Sequence, residues 1–170
     1  MITCRWYVKL TLVIAKNLIV ELHFSQNKED NMKLSARNQL EGTVVKVQKG
    51  AVNGIVTMKF AEETISGTIS MSAIEELGLE EGNEAVAIIK ATEVMIGKGE
   101  MILSARNKIK GTITAINEGA VNAIVTMEVA GGNKISATIS MNAVKELELT
   151  VGTQAVAVIK ATSVMFGVNE

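Results

Sequence analysis

The chain has few aromatic residues, one cysteine and, over most of its length, neither histidine nor aspartate. Aromatic side chains make up 3% of its 170 residues. From residue 32 onward His, Cys, Asp, Trp and Tyr are all missing. Without His or Cys a zinc site of the usual ligands is excluded there, and no metal cation is expected. Ser-His-Asp and Cys-His nucleophilic systems are excluded for the same reason. No Gly-rich phosphate loop of Walker type occurs, so no nucleotide is expected. Single-stranded nucleic acid calls for stacking aromatics and a basic groove. This region offers 13 basic residues against 15 acidic ones and only Phe60 and Phe166, so no nucleic acid is expected. Cys4 alone rules out an internal disulfide framework and suits a reducing compartment, the cytoplasm. Hydrophobic residues reach 48%, yet they come in short β-like runs, below the roughly 18 needed to cross a bilayer, so no membrane is expected. Glu75, Glu76, Glu80 and Glu81 surround a polar helix face and turn, and read as solvated surface. No enzyme is expected.

Residues 1–31 differ from the rest. They hold the only Cys, Trp, Tyr and His and the only aspartate, Asp30. "MKLSARN" at Met32 matches "MILSARN" at Met101. The first 31 residues are therefore read as an N-terminal extension arising from an over-extended reading frame, ahead of an appended strand or helix and of a targeting segment.

From Met32 onward the chain is a tandem repeat. "LSARN" recurs 69 positions on, "GAVNGIVTM" becomes "GAVNAIVTM", and after one inserted residue "AVAIIKATEVMIG" becomes "AVAVIKATSVMFG". The copies run 32–97 and 103–170, with 98–102 as linker. In the first, Gln39 to Lys49, Val52 to Ala61 and Thr64 to Ser70 are rich in Val, Ile and Thr and read as strands. Ser72 to Leu77 reads as a short helix capped by Ser72 with Glu75, and closed by Gly78 in a left-handed conformation. The second copy has Asn142 as cap and Glu148 in place of the glycine. Ala85 to Lys90 and Thr92 to Ile96 supply the last strands. The expected fold is mainly β: two OB-like five-stranded barrels, each with one short helix. Copies of about 65 residues are near the lower limit for a self-sufficient core, so repeats or chains should pack together.

Against these absences, each copy repeats one set of anion-binding groups. Beyond Met32 the only arginines are Arg37 and Arg106, both in "SARN", among eleven lysines. "SAR" offers a hydroxyl and a guanidinium on alternate residues, Ser35 with Arg37 and Ser104 with Arg106, which share a face if extended. "IKAT" offers Lys90 with Thr92 and Lys160 with Thr162. Ser70 and Ser140 in "TIS" precede the free N–H groups of a helix start. The set carries no carboxylate. An arginine fork matches two oxygens of a tetrahedral oxyanion, as lysine does not. The plainer alternatives are that each arginine pairs with a glutamate to fasten the first strand, and that the lysines snorkel from barrel strands. A charge-assisted hydrogen bond contributes roughly 1.5–3 kcal/mol and micromolar binding needs about 8 kcal/mol. Groups from two modules reach that more easily than one, which favours sites at repeat or subunit interfaces.

"LSARNQLEGTVVKVQKGAVN", "TISMSAIEELGLEEG" and "AIIKATEVMI" resemble the molbindin family, whose Mop (TOBE-class) domains bind molybdate and tungstate. The resemblance covers nearly all of 34–167. It implies an OB-like Mop fold and a cytoplasmic homotrimer of six domains that stores the oxyanion between domains. The implied ligands are Ser35, Arg37, Ser70, Lys90, Ala91 and Thr92, with Ser104, Arg106, Ser140, Lys160, Ala161 and Thr162 from the second copy. Ala91 and Ala161 contribute backbone only. Asn53 and Asn122 of the "GAVN" turns are implied for a second class of site, or are simply parts of a well-formed hairpin turn. The alternative function is a regulatory or interaction module docking on a molybdate transporter or regulator.

Overall fold

The computed structural model describes residues 34–100 and 102–169; the expectations for residues 1–31 lie outside the described residues. Each copy forms three long antiparallel strands, a helix and two further strands. In the first these are β1 (Asn38–Gln48), β2 (Asn53–Phe60), β3 (Glu63–Ser70), α1 (Met71–Glu76), β4 (Glu84–Ile89) and β5 (Val94–Gly97). In the second they are β6 (Asn107–Glu118), β7 (Asn122–Glu128), β8 (Lys134–Ser140), α2 (Met141–Glu146), β9 (Gln154–Ile159) and β10 (Met165–Gly167). Period-2 alternation sets the faces: in β2, Gly54, Val56, Met58 and Phe60 are buried and the residues between them are not. β1 alternates only loosely because its pairing with β2 slips between Val44 and Lys46, a bulge repeated in β6 between Ile113 and Ala115.

The helices start two residues earlier than the sequence suggests. Ser70, still extended at φ −66 and ψ 152, is the N-cap, and its Oγ accepts from the Ala73 N–H at 3.2 Å. Ser72 lies inside the helix, with its hydroxyl 3.0 Å from that of Ser70. Ser140 replaces Asn142 as cap in the same way, accepting from Ala143 at 3.1 Å. The other end matches the expectation. Gly78 takes φ +59, and the Gly78 and Leu79 N–H groups donate back to Glu75 and Ile74. Glu148 adopts the same left-handed conformation, at φ 49, although it has a Cβ.

The fifth strands are exchanged. β5 leaves the first copy and pairs antiparallel with β9, from Val94↔Ile159 to Gly97↔Val156. β10 returns to pair with β4, from Met165↔Ile88 to Gly167↔Val86. The two sheets therefore run β10-β4-β1-β2-β3 and β5-β9-β6-β7-β8. A local reason lies in the connection from β4 to β5. Tight two-residue hairpins need positive φ, supplied by Gly, Asn or Asp. Lys90 to Glu93 has none of these residues and no positive φ. It forms instead a single 3-10 turn, Ala91–Glu93, which carries the chain onward.

Exchange merges the two small cores: Leu40, Met58, Ile65 and Ile89 belong to one buried cluster with Ile109, Met127, Ile135 and Ile159. Phe166, carried on β10, packs over Gly67 of β3. A Cβ at Gly67 would stand 2.5 Å from a Phe166 ring carbon and 3.2 Å from Val164 Cβ. At the equivalent positions of the other sheet stand Ala137 and the smaller Ile96. Gly67→Ala should therefore destabilise the protein by about 1–3 kcal/mol in a urea melt. Adding Phe166→Ile should restore most of the loss, and a neutral Gly67→Ala would show that the contact is not tight.

Candidate functional site

The buried side chain that organises the site is the asparagine ending "SARN". Asn38 and Asn107 are the only buried polar residues among those described, at 1% and 3% exposure. Asn38 crosses to the other copy, where Nδ2 donates to the Ser136 carbonyl at 2.9 Å and Oδ1 accepts from the Ser136 N–H at 2.7 Å. Asn107 does the same to Ser66, at 2.8 and 2.7 Å. Ser66 and Ser136 lie on β3 and β8, the edge strands of their sheets. Each carboxamide thus imitates a neighbouring strand and satisfies an edge N–H and C=O. The opposite amide orientation would set N–H against N–H, so chemistry fixes this one.

That clamp places the candidate anion-binding groups. Asn38 pairs with Ile89 in the β1–β4 ladder, so one residue earlier Arg37 comes level with Lys90. Asn107 pairs with Ile159, which brings Arg106 level with Lys160. The 3-10 turn Ala91–Glu93 packs against β8 of the other copy, and its counterpart Ala161–Ser163 packs against β3. Arg37, Lys90 and Thr92 of one copy are thus gathered beside an edge strand of the other. Ala91 and Ala161 are buried while Lys90, Thr92, Lys160 and Thr162 are exposed. The N–H groups of Ala91 and Thr92 open the turn ahead of its first hydrogen bond, Glu93 N–H to Lys90 C=O at 2.9 Å. Ser35, Arg37, Ser104 and Arg106 are exposed.

The ion pairs among the described residues are Lys59–Glu62 and Lys98–Glu148. The glutamate partner that would make Arg37 or Arg106 a simple fastener is absent from that set, and the fastening falls to the asparagines.

Two features differ from the sequence reading. Lys90 and Thr92 do not alternate along a strand, because the 3-10 turn replaces the start of the expected fifth strand. Nor is the site free of carboxylate. Glu93 follows Thr92, and its Oε2 accepts from Ser163 Oγ of the second turn at 2.9 Å. The two "KAT" turns therefore face each other.

Ser70 and Ser140 lie elsewhere in the chain. Ser70 pairs with Asn53 across the β2–β3 hairpin, and Ser140 with Asn122 across β7–β8. Ser70 is four residues along β3 from Ser66, where Asn107 docks, a run of roughly 13 Å. All four side chains are exposed. The candidates thus form two groups in each half, arginine with the "KAT" turn and serine with the "GAVN" asparagine. A cleft of about 730 Å³ lies along Met95, Ile102, Leu103, Val156 and Val158, with Lys108 and Lys110 beside it. A recess of about 330 Å³ lies by Glu41, Thr43, Glu84 and Val86. Among the described residues no group of three or more His, Cys, Asp or Glu is placed to hold a metal ion, and no helix is long and apolar enough to cross a membrane.

Paired five-stranded β units with exchanged edges and duplicated cationic turns define a tandem small-barrel protein, and the TOBE domain model matches it twice, at residues 34–96 and 103–166. The chain belongs to the TOBE-domain family, in the tandem form seen in molbindins. It is similar to the crystal structure of the cytoplasmic molybdate-binding protein ModG with molybdate bound. That likeness has a TM-score of 0.80 and 40% identity and covers 81% of this chain and 100% of that one. It is 36% identical over 143 residues to the Molybdenum transport protein ModE of Herbaspirillum seropedicae, covering 82% of this chain and 53% of that protein. The chain thus spans about half the length of that curated relative. A Probable molybdenum-pterin-binding protein of Haemophilus influenzae is 57% identical over 69 residues, covering 41% of this chain and all of that protein.

Proposed function

We propose that this protein binds molybdate or tungstate reversibly and stores it in the cytoplasm, performing no chemistry on it. The observation that carries the reading is the gathering of Arg37, Lys90 and the open Ala91–Thr92 turn beside the other copy, with no ion pair recorded for either cation among the described residues. Arg37 and Arg106 supply forks, Lys90 and Lys160 countercharge, Ala91 and Ala161 backbone N–H groups, and Ser35, Ser104, Thr92 and Thr162 hydroxyls. Ser70 and Ser140 retain a hydroxyl proton to donate while their oxygens cap helices. With Asn53 and Asn122 they are presented to a neighbouring chain.

Because these groups are exposed, the sites close on assembly, as a homotrimer of six domains. Exposed Val45, Val52, Met95, Val121 and Met165 support burial of further apolar surface between chains. The relatives named for molybdate or molybdenum-pterin binding support the ligand.

Titration calorimetry with molybdate, tungstate and sulfate tests the reading. Saturable micromolar or tighter binding of the first two, with a mass of three 18.1 kDa chains in sedimentation, is expected. Absence of heat with every oxyanion would exclude it. The ModE match, in which the paired domains are half of a longer protein, favours a second reading as a regulatory or interaction module. That reading predicts capture of a molybdate transporter or regulator by protein that retains no oxyanion.

A further inference from the structure

The two "KAT" turns differ at one residue. Glu93 follows Thr92 in the first copy, and Ser163 stands in its place in the second. The structure joins these two residues directly, Ser163 Oγ donating to Glu93 Oε2 at 2.9 Å. A carboxylate is therefore seated on the turn of the second copy, one residue from Thr162. It uses a hydroxyl of that turn and adds a negative charge beside the turn that carries Lys160 and Thr162. Glu93 itself is exposed, and no Lys or Arg within 4.0 Å neutralises it among the described ion pairs.

We infer that Glu93 is an internal competitor of the bound anion: its charge weakens oxyanion binding at the "KAT" turns. The inference rests on the proposed oxyanion function and adds to it a residue that sets affinity. The physical reason is electrostatic. A doubly negative tetrahedron at Lys160–Thr162 meets the fixed charge of Glu93 at short range, where repulsion in a largely aqueous setting corresponds to about a five- to tenfold loss of affinity. Such a term between exposed groups fades as salt shortens the screening length. Glu93 is itself part of the first turn, next to Thr92, and touches the second through Ser163, so its charge stands beside both.

Calorimetric titration of molybdate into wild type, Glu93→Gln and Glu93→Ser, each at low and at high salt, decides the matter. Glu93→Gln keeps an acceptor for Ser163 and removes only the charge; Glu93→Ser makes the two turns alike. Both variants should bind molybdate about five- to tenfold more tightly at low salt, with the gain shrinking at high salt. Wild-type binding with variants unchanged, or weaker, would overturn the inference and leave the oxyanion function standing. No binding by wild type or either variant would remove both together. Circular dichroism melts confirm that each variant is folded, as expected for changes at an exposed position.

Discussion

Replacing Arg37 and Arg106 together by alanine is expected to weaken molybdate binding by about 10- to 100-fold at each site, with little change in the melting temperature. The binding loss comes from removing one charge-assisted, two-pronged donor from each set, worth roughly 1.5–3 kcal/mol. The unchanged stability has a structural cause: both arginines are exposed, and neither is among the described ion pairs. Lysine at both positions should recover only part of the affinity, because it restores charge without the planar fork. Calorimetry beside thermal melts checks both halves. A double mutant that binds normally removes the arginines as ligands. One that loses stability and binding together returns them to the role of strand fasteners.

Asn38→Ala is expected to destabilise the fold by about 2–4 kcal/mol, since it removes a buried side chain and strips the partner from the half-buried N–H and C=O of Ser136. Few exposed polar residues in this chain could cost as much. The change also frees the segment that holds Arg37 against the second copy, so molybdate binding should weaken although Asn38 is not itself placed to touch the anion. Urea denaturation at one fixed protein concentration measures the first effect, because assembly would make stability depend on concentration. A loss below about 0.5 kcal/mol would mean that water replaces the carboxamide at the strand edge and that the clamp is not what joins the copies.

Strand alternation in Val- and Ile-rich segments, the helix after "TIS" and the left-handed residue at Gly78 were readable from the residues, because each depends on neighbours in the chain; the same conformation at Glu148, which has a Cβ, was not. The exchange of β5 and β10 was not. Alternation says which face of a strand is buried and nothing about which sheet receives it. The one local clue was negative, a β4–β5 connection of "KATE" without a residue suited to a tight hairpin. The helix caps shifted from Ser72 and Asn142 to Ser70 and Ser140 because the last residue of a strand already holds its hydroxyl over the first turn.

In the candidate site the cationic residues were legible by their duplication and by the rarity of arginine. Two features that shape the site escaped. Asn38 and Asn107 stand inside the repeated word and share the inward phase of Leu40 and Ile109, so a buried carboxamide was inferable; its partner on the other copy was not. Glu93 was hidden by proximity of another kind. Its importance comes from facing Ser163, 70 positions away, and no motif spans that distance. The separation of Ser70 from Arg37 within one chain has the same origin, since residues that share a motif need not share a face.

The most direct test is a crystal structure of the protein grown with molybdate, with the molybdenum located by its anomalous signal. Peaks are expected within hydrogen-bonding distance of the Arg37 and Arg106 guanidinium groups and of the "KAT" turns, at boundaries between packed copies. Molybdenum bound only elsewhere, with both guanidinium groups directed into solvent, would contradict the proposed oxyanion site.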